Sequence, residues 1–321
     1  MSYKSVYVWP NPAIPFRLYF DSPECRIFII ENLQHNYEWI KQYHKKFKES
    51  DYFFVILGSH WSAYLLNNAN DMFEYLGLKK EKFFILYNDD RDRILFEKAG
   101  FNGEIINQNC WLDYNKDMKI LPNIHKEYDA IYVGRMIEVK RHYLAGKVKN
   151  LALIAGNIYG QNKLIEPPPH VYRNQEPLSP SGVAMKINAS RCGLILSAKE
   201  GACFASSEYL LCGIPVVSTF SEGGRSYWYN SYNSIVCEDD ESAIANAVEY
   251  FVNNPKDPEI IRNTHITRAN KLRVKFVSII SEIFEKHCVS EIDPMKFFTE
   301  NYYHKMRTSY KPDFERIFNE G

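Results

Sequence analysis

The sequence predicts an α/β protein with parallel sheets, divided into two domains. Short apolar runs of β character alternate with stretches of helical periodicity along most of the chain, the pattern expected of βαβ units. The 321 residues suffice for two domains and for a substantial buried core. A polar stretch at 113–127, carrying Pro122, separates one alternating series from the next.

In the first series the apolar runs fall at 26–30, 52–57, 83–87 and 104–107, with helical stretches near 37–47, 63–76 and 91–99. In the second they fall at 130–133, 151–155, 171–173, 193–196, 215–218 and 234–236, separated by helices near 180–189, 207–212 and 241–253. The expected domains are 1–122 and 123–290, followed by a charged, aromatic tail at 291–321 that is expected to be helical. Pro167-Pro168-Pro169 marks an extended loop.

Composition narrows the classes. Formal net charge is zero, which leaves no overall footprint for nucleic acid. Seven cysteines, odd in number and without CxxC or Cys/His spacing, predict reduced thiols in a cytoplasmic setting rather than a disulfide scaffold or a zinc site. No segment reads as a signal peptide, and apolar stretches such as 52–57 are too short to span a bilayer, so any membrane contact is expected to be peripheral. Aromatic residues make up 15% of the chain, which suits either sugar-stacking surfaces or a core rich in Phe and Tyr. No two glycines stand two apart, so the GxGxxG of a nicotinamide-dependent oxidoreductase is missing, and no P-loop spacing occurs either.

The most informative segment is 199–219, KEGACFASSEYLLCGIPVVST. It sets Glu200 and Glu208 eight residues apart across a glycine loop and a short helix. Gly201 is expected to let the backbone turn sharply after the first glutamate, Ser206 and Ser207 to open the helix, and Gly213 to close it in the left-handed conformation. One carboxylate then sits at a loop tip and the other in the first turn of a helix, whose N-terminus suits an anionic diphosphate.

This segment resembles the E-x7-E signature of retaining, nucleotide-sugar-dependent glycosyltransferases, in particular the GT4 family. Tyr132-Val-Gly-Arg-Met-Ile-Glu-Val-Lys140 is similar to that family's "VGR…K" element, and Ile105-Ile-Asn-Gln-Asn-Cys-Trp-Leu-Asp113 sits where the family has its "IPNGVD" linker strand. The resemblance covers residues 104–250 well and the first hundred residues poorly. Two departures stand out. The first glycine is Gly58, so the family's N-terminal glycine loop is missing, and the usual "EGFG" reads Glu200-Gly-Ala-Cys203. The resemblance implies the GT-B fold, two Rossmann-like domains facing across a cleft. It places the donor mostly on residues 130–225, the acceptor mostly on residues 1–122, and the tail at 291–321 back on the first domain.

It also implies roles. After Gly134 ends a strand, Arg135 and Lys140 hold the donor diphosphate, a forked guanidinium beside a point charge. Because these cations neutralise the leaving group, no metal and no other cofactor is expected. Glu208 accepts hydrogen bonds from the ribose hydroxyls, while Glu200 contacts the donor sugar and stabilises positive charge at the anomeric carbon. Gly201 and the backbone N–H groups of Ala202, Cys203, Phe204 and Ala205 are expected at the sugar and phosphates. Arg173 is a candidate for the base on its position alone, at a strand end between the loop and the next helix. The implied reaction is retaining transfer of a sugar from a UDP- or GDP-sugar to a hydroxyl of a glycan or lipid-linked acceptor.

Several readings stay open. His60, in Gly58-Ser-His-Trp-Ser62, either assists the acceptor hydroxyl or packs beside Trp61. Asp90-Arg-Asp92 spells DxD, the metal-binding signature of the GT-A fold, and offers a metal-dependent alternative. A nucleotide-sugar epimerase or an inactive sugar-nucleotide-binding protein on the same fold is a further alternative. In residues 34–50, Tyr37, Ile40, Tyr43 and Phe47 recur at helical spacing while Lys41, Lys45, Lys46 and Lys48 crowd the remaining surface. That helix is either core-facing scaffold with solvated lysines or a basic face for anionic headgroups, which would hold the protein peripherally at a membrane.

Overall fold

The computed structural model describes residues 6–8, 16–155, 165–306 and 317–318, with the backbone alone described at 6–8. The expectations for 1–5 and 9–15, and for the tail at 307–316 and 319–321, lie outside the described residues. The chain forms two compact units, one of residues 1–112 with 270–321 and the other of residues 113–269. The division falls at Leu112 where the sequence suggested 122, and the chain re-enters the first unit at Asn270 where the sequence suggested 291.

Among the described residues of the first unit, six strands lie in chain order across one sheet: β1 (Val6–Val8), β2 (Phe16–Asp21), β3 (Arg26–Glu31), β4 (Asp51–Ile56), β5 (Phe83–Tyr87) and β6 (Gly103–Ile105). β1 and β3 run antiparallel to β2, and β3 through β6 are parallel. The parallel crossovers carry α1 (Tyr37–Tyr43), α2 (Ala63–Leu76) and α3 (Asp90–Lys98). Every crossover steps the same way, so right-handed connections bring all three helices to one face. The core beneath them is aromatic. Phe28, Phe53 and Phe83 stack across β3, β4 and β5 with centroids 5.0 and 4.6 Å apart, and Phe73 of α2 meets Phe83 edge-on at 4.6 Å.

β2 has no counterpart among the apolar runs because Arg17 interrupts it. The structure buries that guanidinium against the rings of Tyr19 and Tyr303, 5.3 and 4.9 Å from their centroids. The stretch 34–50 also departs from expectation: α1 stops at Tyr43, a 3-10 turn covers His44–Lys46, and Phe47 is extended. Buried Asp51, paired with Arg26 at 2.8 Å, accepts from Lys48 N at 2.8 Å and draws the chain into β4. Ile40 and Tyr43 are buried and Phe47 packs on Phe53 at 4.7 Å. The apolar side of this stretch is therefore core, while Lys41, Lys45, Lys46 and Lys48 are exposed.

The second unit holds a parallel sheet built from β7 (Tyr128–Gly134), β8 (Leu151–Ala155), β9 (Tyr172–Arg173), then α4 (Pro180–Asn188), β10 (Ser190–Ile195), α5 (Phe204–Leu211), β11 (Val216–Thr219), β12 (Ser234–Cys237) and α6 (Glu241–Asn253). Ser179 caps α4 by accepting from Gly182 N at 3.1 Å ahead of Pro180, and Asp240 caps α6 by accepting from Ala243 N at 2.8 Å. The strand order is β12-β11-β10-β7-β8-β9. The chain starts at β7, winds out to β9, crosses back to β10 on the other side of β7, and winds out to β12. That reversal makes the β7/β10 junction a topological switch point, where doubly wound sheets open a crevice beyond the carboxyl ends of their strands. Among the described residues, the parallel strands of the first unit have no such reversal.

α7 (Pro258–Lys286), which has no counterpart in the sequence expectations, closes the second unit and opens the return to the first. Its buried positions Ile261, His265, Ala269, Leu272, Phe276, Ile280 and Ile283 follow helical spacing. Buried Arg273 adjoins that stripe, donating to Cys110 O at 2.8 Å and Leu112 O at 2.7 Å, and masks the apolar pattern in the sequence. Phe276 and Phe284 of α7, with Phe297 of α8 (Pro294–Glu300), cover Tyr19, Phe20 and Phe54 on the other face of the first sheet. Among the described residues, no helix is long and apolar enough to cross a membrane.

Candidate functional site

β7 and β10 are paired as far as Ile131 and Gly193, and then part. Two buried phenols take up the backbone groups released there. Val133 N donates to Tyr209 Oη at 2.7 Å, and Leu196 N donates to Tyr132 Oη at 3.4 Å. In turn Tyr209 donates to Leu194 O at 3.4 Å and Tyr132 to Lys140 O. Burial pushes both phenols well above the ordinary tyrosine range, so they remain protonated donors. Gly193 makes room for this arrangement, since a Cβ there would stand 2.1 Å from Cδ2 of Tyr209. Because Tyr209 belongs to α5, its ring ties that helix to the parted strands.

After Gly134 the chain carries Arg135, whose side chain is exposed, and turns through Glu138–Lys140 into Arg141, left-handed at φ 50°. Arg141 reaches the carboxyl ends of β10 and β11, its Nε donating to Leu196 O at 2.6 Å and its Nη2 to Thr219 Oγ1 at 2.7 Å. Next to this anchor, Lys140 Nζ meets Glu200 Oε1 in an ion pair whose side chains are each 16% exposed. Ser197 Oγ donates to the same carboxylate oxygen at 2.6 Å. Buried Arg225 donates through Nη1 to Ser197 O at 2.8 Å and Ser197 Oγ at 2.9 Å, and through Nη2 to Thr219 O at 2.8 Å. The backbone fixes Glu200 as well: its N donates to Glu222 O at 3.0 Å, and Gly224 N donates to Gly201 O at 2.8 Å. Gly223, at φ 129°, lies so near that a Cβ would stand 2.0 Å from Glu200 O.

The left-handed residue of the turn after Glu200 is Cys203, φ 56° and ψ 87°, and not Gly201. α5 therefore begins at Phe204, which places Glu208 in the second turn of the helix rather than the first. Ser206, expected to open the helix, lies inside it with its hydroxyl 2.8 Å from Tyr229 Oη. Gly213, at φ 75°, ends the helix as expected, with Ile214 N on Tyr209 O at 3.1 Å and Gly213 N on Leu210 O at 3.0 Å. Ala202 is buried, while Phe204, Ala205 and Glu208 are half-buried.

The structure thus gathers Gly134, the last residue of β7, with Lys140, Glu200, Gly201 and Cys203 at the carboxyl ends of β7 and β10. Arg173 ends β9 at the edge of the same sheet. It still acts on this neighbourhood, because His142, stacked on Tyr132 at 4.2 Å, is pushed down to about 4 by burial and then by Lys140 and Arg173. His60 belongs to the first unit, half-buried on the loop after β4, beside Trp61, whose ring meets Phe96 at 5.0 Å. Asp90 and Asp92 do not converge. They stand two apart at the start of α3 and so point to different sides of it. Asp90 is exposed and pairs with Arg93 at 3.0 Å, whereas Asp92 is buried, its carboxyl pushed up to about 7 by burial and then by Asp89. Arg141, Ser197, Tyr209 and Arg225 also shape the site, and none of them belongs to the motifs of the sequence. Two signals are nonetheless present: a serine three residues before Glu200, and a cation directly after the paired glycines 223 and 224.

No family model matches the sequence, and no curated protein matches it. Among solved structures, the chain is similar to sucrose-phosphate synthase from Thermosynechococcus elongatus, with TM-score 0.59 and 11% identity over 81% of this chain and 74% of that one. It is similar to Anabaena Alr3699/HepE in complex with UDP, with TM-score 0.55 and 14% identity over 72% of each chain. It is also similar to an E. coli trehalose-6-phosphate structure bound with UDP-2-fluoro glucose, with TM-score 0.58 and 13% identity over 82% of this chain and 74% of that one. At these identities the likeness establishes the fold: the chain has the α/β GT-B fold that its sequence resemblance implied.

Proposed function

We propose that the chain is a retaining glycosyltransferase that moves a sugar from a nucleoside-diphosphate sugar to an acceptor hydroxyl. The observation that carries this reading is the meeting of Lys140 and Glu200 at the switch point of the second unit, with Glu208 on the helix that follows. Structures of the similar Anabaena HepE with UDP and with UDP-glucose support a nucleotide-sugar donor.

In this reading the diphosphate replaces Glu200 as the partner of Lys140, and exposed Arg135 joins with a forked grip. The two cations, with the N–H groups of Ala202, Cys203, Phe204 and Ala205 at the start of α5, stabilise the charge that develops on the departing oxygens. Glu208 accepts from both ribose hydroxyls, and Arg173 serves the base. Glu200, released by Lys140, faces the donor sugar and stabilises positive charge at the anomeric carbon. Since the chain supplies these charges itself, the reading requires no metal. Residues 1–122 take the acceptor, with His60 beside its hydroxyl. For a lipid-linked acceptor at a cytoplasmic membrane face, exposed Lys41, Lys45, Lys46 and Lys48 provide the peripheral contact.

The test is a panel of UDP- and GDP-sugars with candidate glycan acceptors, run with and without EDTA. Donor consumption should require an acceptor and survive chelation, and NMR of the product should show the donor's anomeric configuration retained. An inverted linkage overturns the retaining assignment. Conversion of the donor without any acceptor favours the epimerase.

A further inference from the structure

We infer that Arg225 is a positioning residue for Glu200, acting through the Ser197 hydroxyl, and that it keeps the carboxylate in place when Lys140 turns to the donor diphosphate. The second half of this inference rests on the proposed function; the first rests on geometry alone. A guanidinium has donors only, so Nη1 at 2.9 Å from Ser197 Oγ occupies an acceptor site of that hydroxyl. The hydroxyl hydrogen must then point elsewhere, and Glu200 Oε1 lies 2.6 Å away. Arg225 in this way fixes Ser197 as a donor to Glu200.

The arginine is itself immobilised. Its Nη1 also donates to Ser197 O at 2.8 Å and its Nη2 to Thr219 O at 2.8 Å, so the guanidinium bridges the carboxyl ends of β10 and β11. Its exposure is 1%, against 16% for the Lys140 side chain. Glu200 therefore has two cationic supports of different kinds. Lys140 is a long side chain on a loop, less fully enclosed than Arg225 and able to change partners. Arg225 is buried, held at both ends, and reaches the carboxylate through one hydroxyl, in a charge-assisted hydrogen bond of the stronger class. Gly223 lets this happen, because its positive φ and missing Cβ bring the Arg225 segment against the Glu200 backbone.

Ligand-free crystal structures test the geometry without any substrate. In Lys140→Ala the Glu200 carboxylate should stay on Ser197 Oγ, and in Lys140→Ala with Ser197→Ala it should leave that position or become disordered. Departure in the single variant, or an unmoved carboxylate in the double variant, overturns the inference. Kinetics with UDP-glucose as the probe donor supply the second arm. Ser197→Ala should lower kcat about tenfold with KM and UDP affinity unchanged, the loss of one hydrogen bond to a charged group. Arg225→Lys combined with Ser197→Ala should lose no more than Ser197→Ala alone, and Ser197→Ala should cost nothing further in a Glu200→Gln background. Equal losses in both backgrounds, or a change in KM alone, point to a merely structural role and overturn it. If UDP-glucose is inert with the wild-type protein, the proposed function fails for that donor, while the crystal structures still decide whether Ser197 holds Glu200, and a ligand-free structure of Arg225→Lys with Lys140→Ala, in which the carboxylate should leave Ser197 Oγ, decides the part played by Arg225.

Discussion

Lys140 and Glu200 form an ion pair across the switch point of the doubly wound sheet, the lysine from the loop after β7 and the glutamate from the loop after β10. At 16% exposure each, neither charge is well solvated, and each compensates the other. In the proposed reading both residues serve the donor, and donor binding would exchange one anionic partner of Lys140 for another.

That exchange makes the two members separable. Glu200→Gln removes the competing carboxylate, so nucleoside-diphosphate affinity should hold or rise, while kcat should fall about a hundredfold because charge at the anomeric carbon is no longer stabilised. Steady-state kinetics beside calorimetry checks both halves. Near-normal turnover would sink the assignment.

Glu208→Ala should act in the opposite way. Two ribose hydroxyls donating to a charged acceptor contribute together about 2–4 kcal/mol, so the nucleoside-diphosphate Kd should rise about thirtyfold or more. Glu208 lies half-buried in the second turn of α5, past the residues that start the helix, and the fold should persist. Unchanged affinity in a folded variant removes the ribose role.

Gly193→Ala tests how α5 is held. The added methyl would meet the Tyr209 ring at 2.1 Å, and relieving that overlap should displace Tyr209 from Val133 N. A loss of about 1–3 kcal/mol of stability is expected from overpacking, with more where the buried hydrogen bond is also broken. Urea denaturation measures it. A variant as stable as the parent contradicts the close approach.

What the sequence made legible follows from range. Glu200, Gly201, Glu208 and Gly213 sit within one short segment, so their spacing alone suggested a loop, a helix and a cap. The Lys140–Glu200 pair joins residues on different loops, and Arg225 acts on Ser197 from across β11; neither follows from local pattern. The order β12-β11-β10-β7-β8-β9 is likewise a matter of non-local pairing. Elsewhere polar residues on buried faces concealed regular elements, Arg17 in β2 and His265 with Arg273 in α7. The turn after Glu200 is instructive in another way. Gly201 is the glycine expected to turn the chain, whereas the left-handed residue is Cys203, at the position where the resembling family carries its second glycine.

Asp92 predicts a pH dependence of stability. Its folded value of about 7 lies above that of an unfolded aspartate, because burial and then Asp89 disfavour the charged form. Between about pH 4 and pH 7 the folded protein therefore binds more protons than the unfolded chain, and stability falls as pH rises through that window. Asp92→Asn should flatten the slope and gain stability at pH 8, by up to a few kcal/mol. Thermal denaturation at pH 5 and pH 8 measures the difference. Identical slopes in the two proteins would show that Asp92 titrates normally.

In the proposed function the second unit binds a nucleoside diphosphate through Lys140. Thermal denaturation with UDP, GDP or ADP, on the wild-type protein and on Lys140→Ala, tests it most directly. At about a hundred times its Kd the correct nucleotide should add roughly 2.7 kcal/mol of stability to the wild-type protein, and the increment should be lost in Lys140→Ala. A wild-type protein indifferent to all three nucleotides, or an equal increment in Lys140→Ala, would rule out nucleotide binding through Lys140.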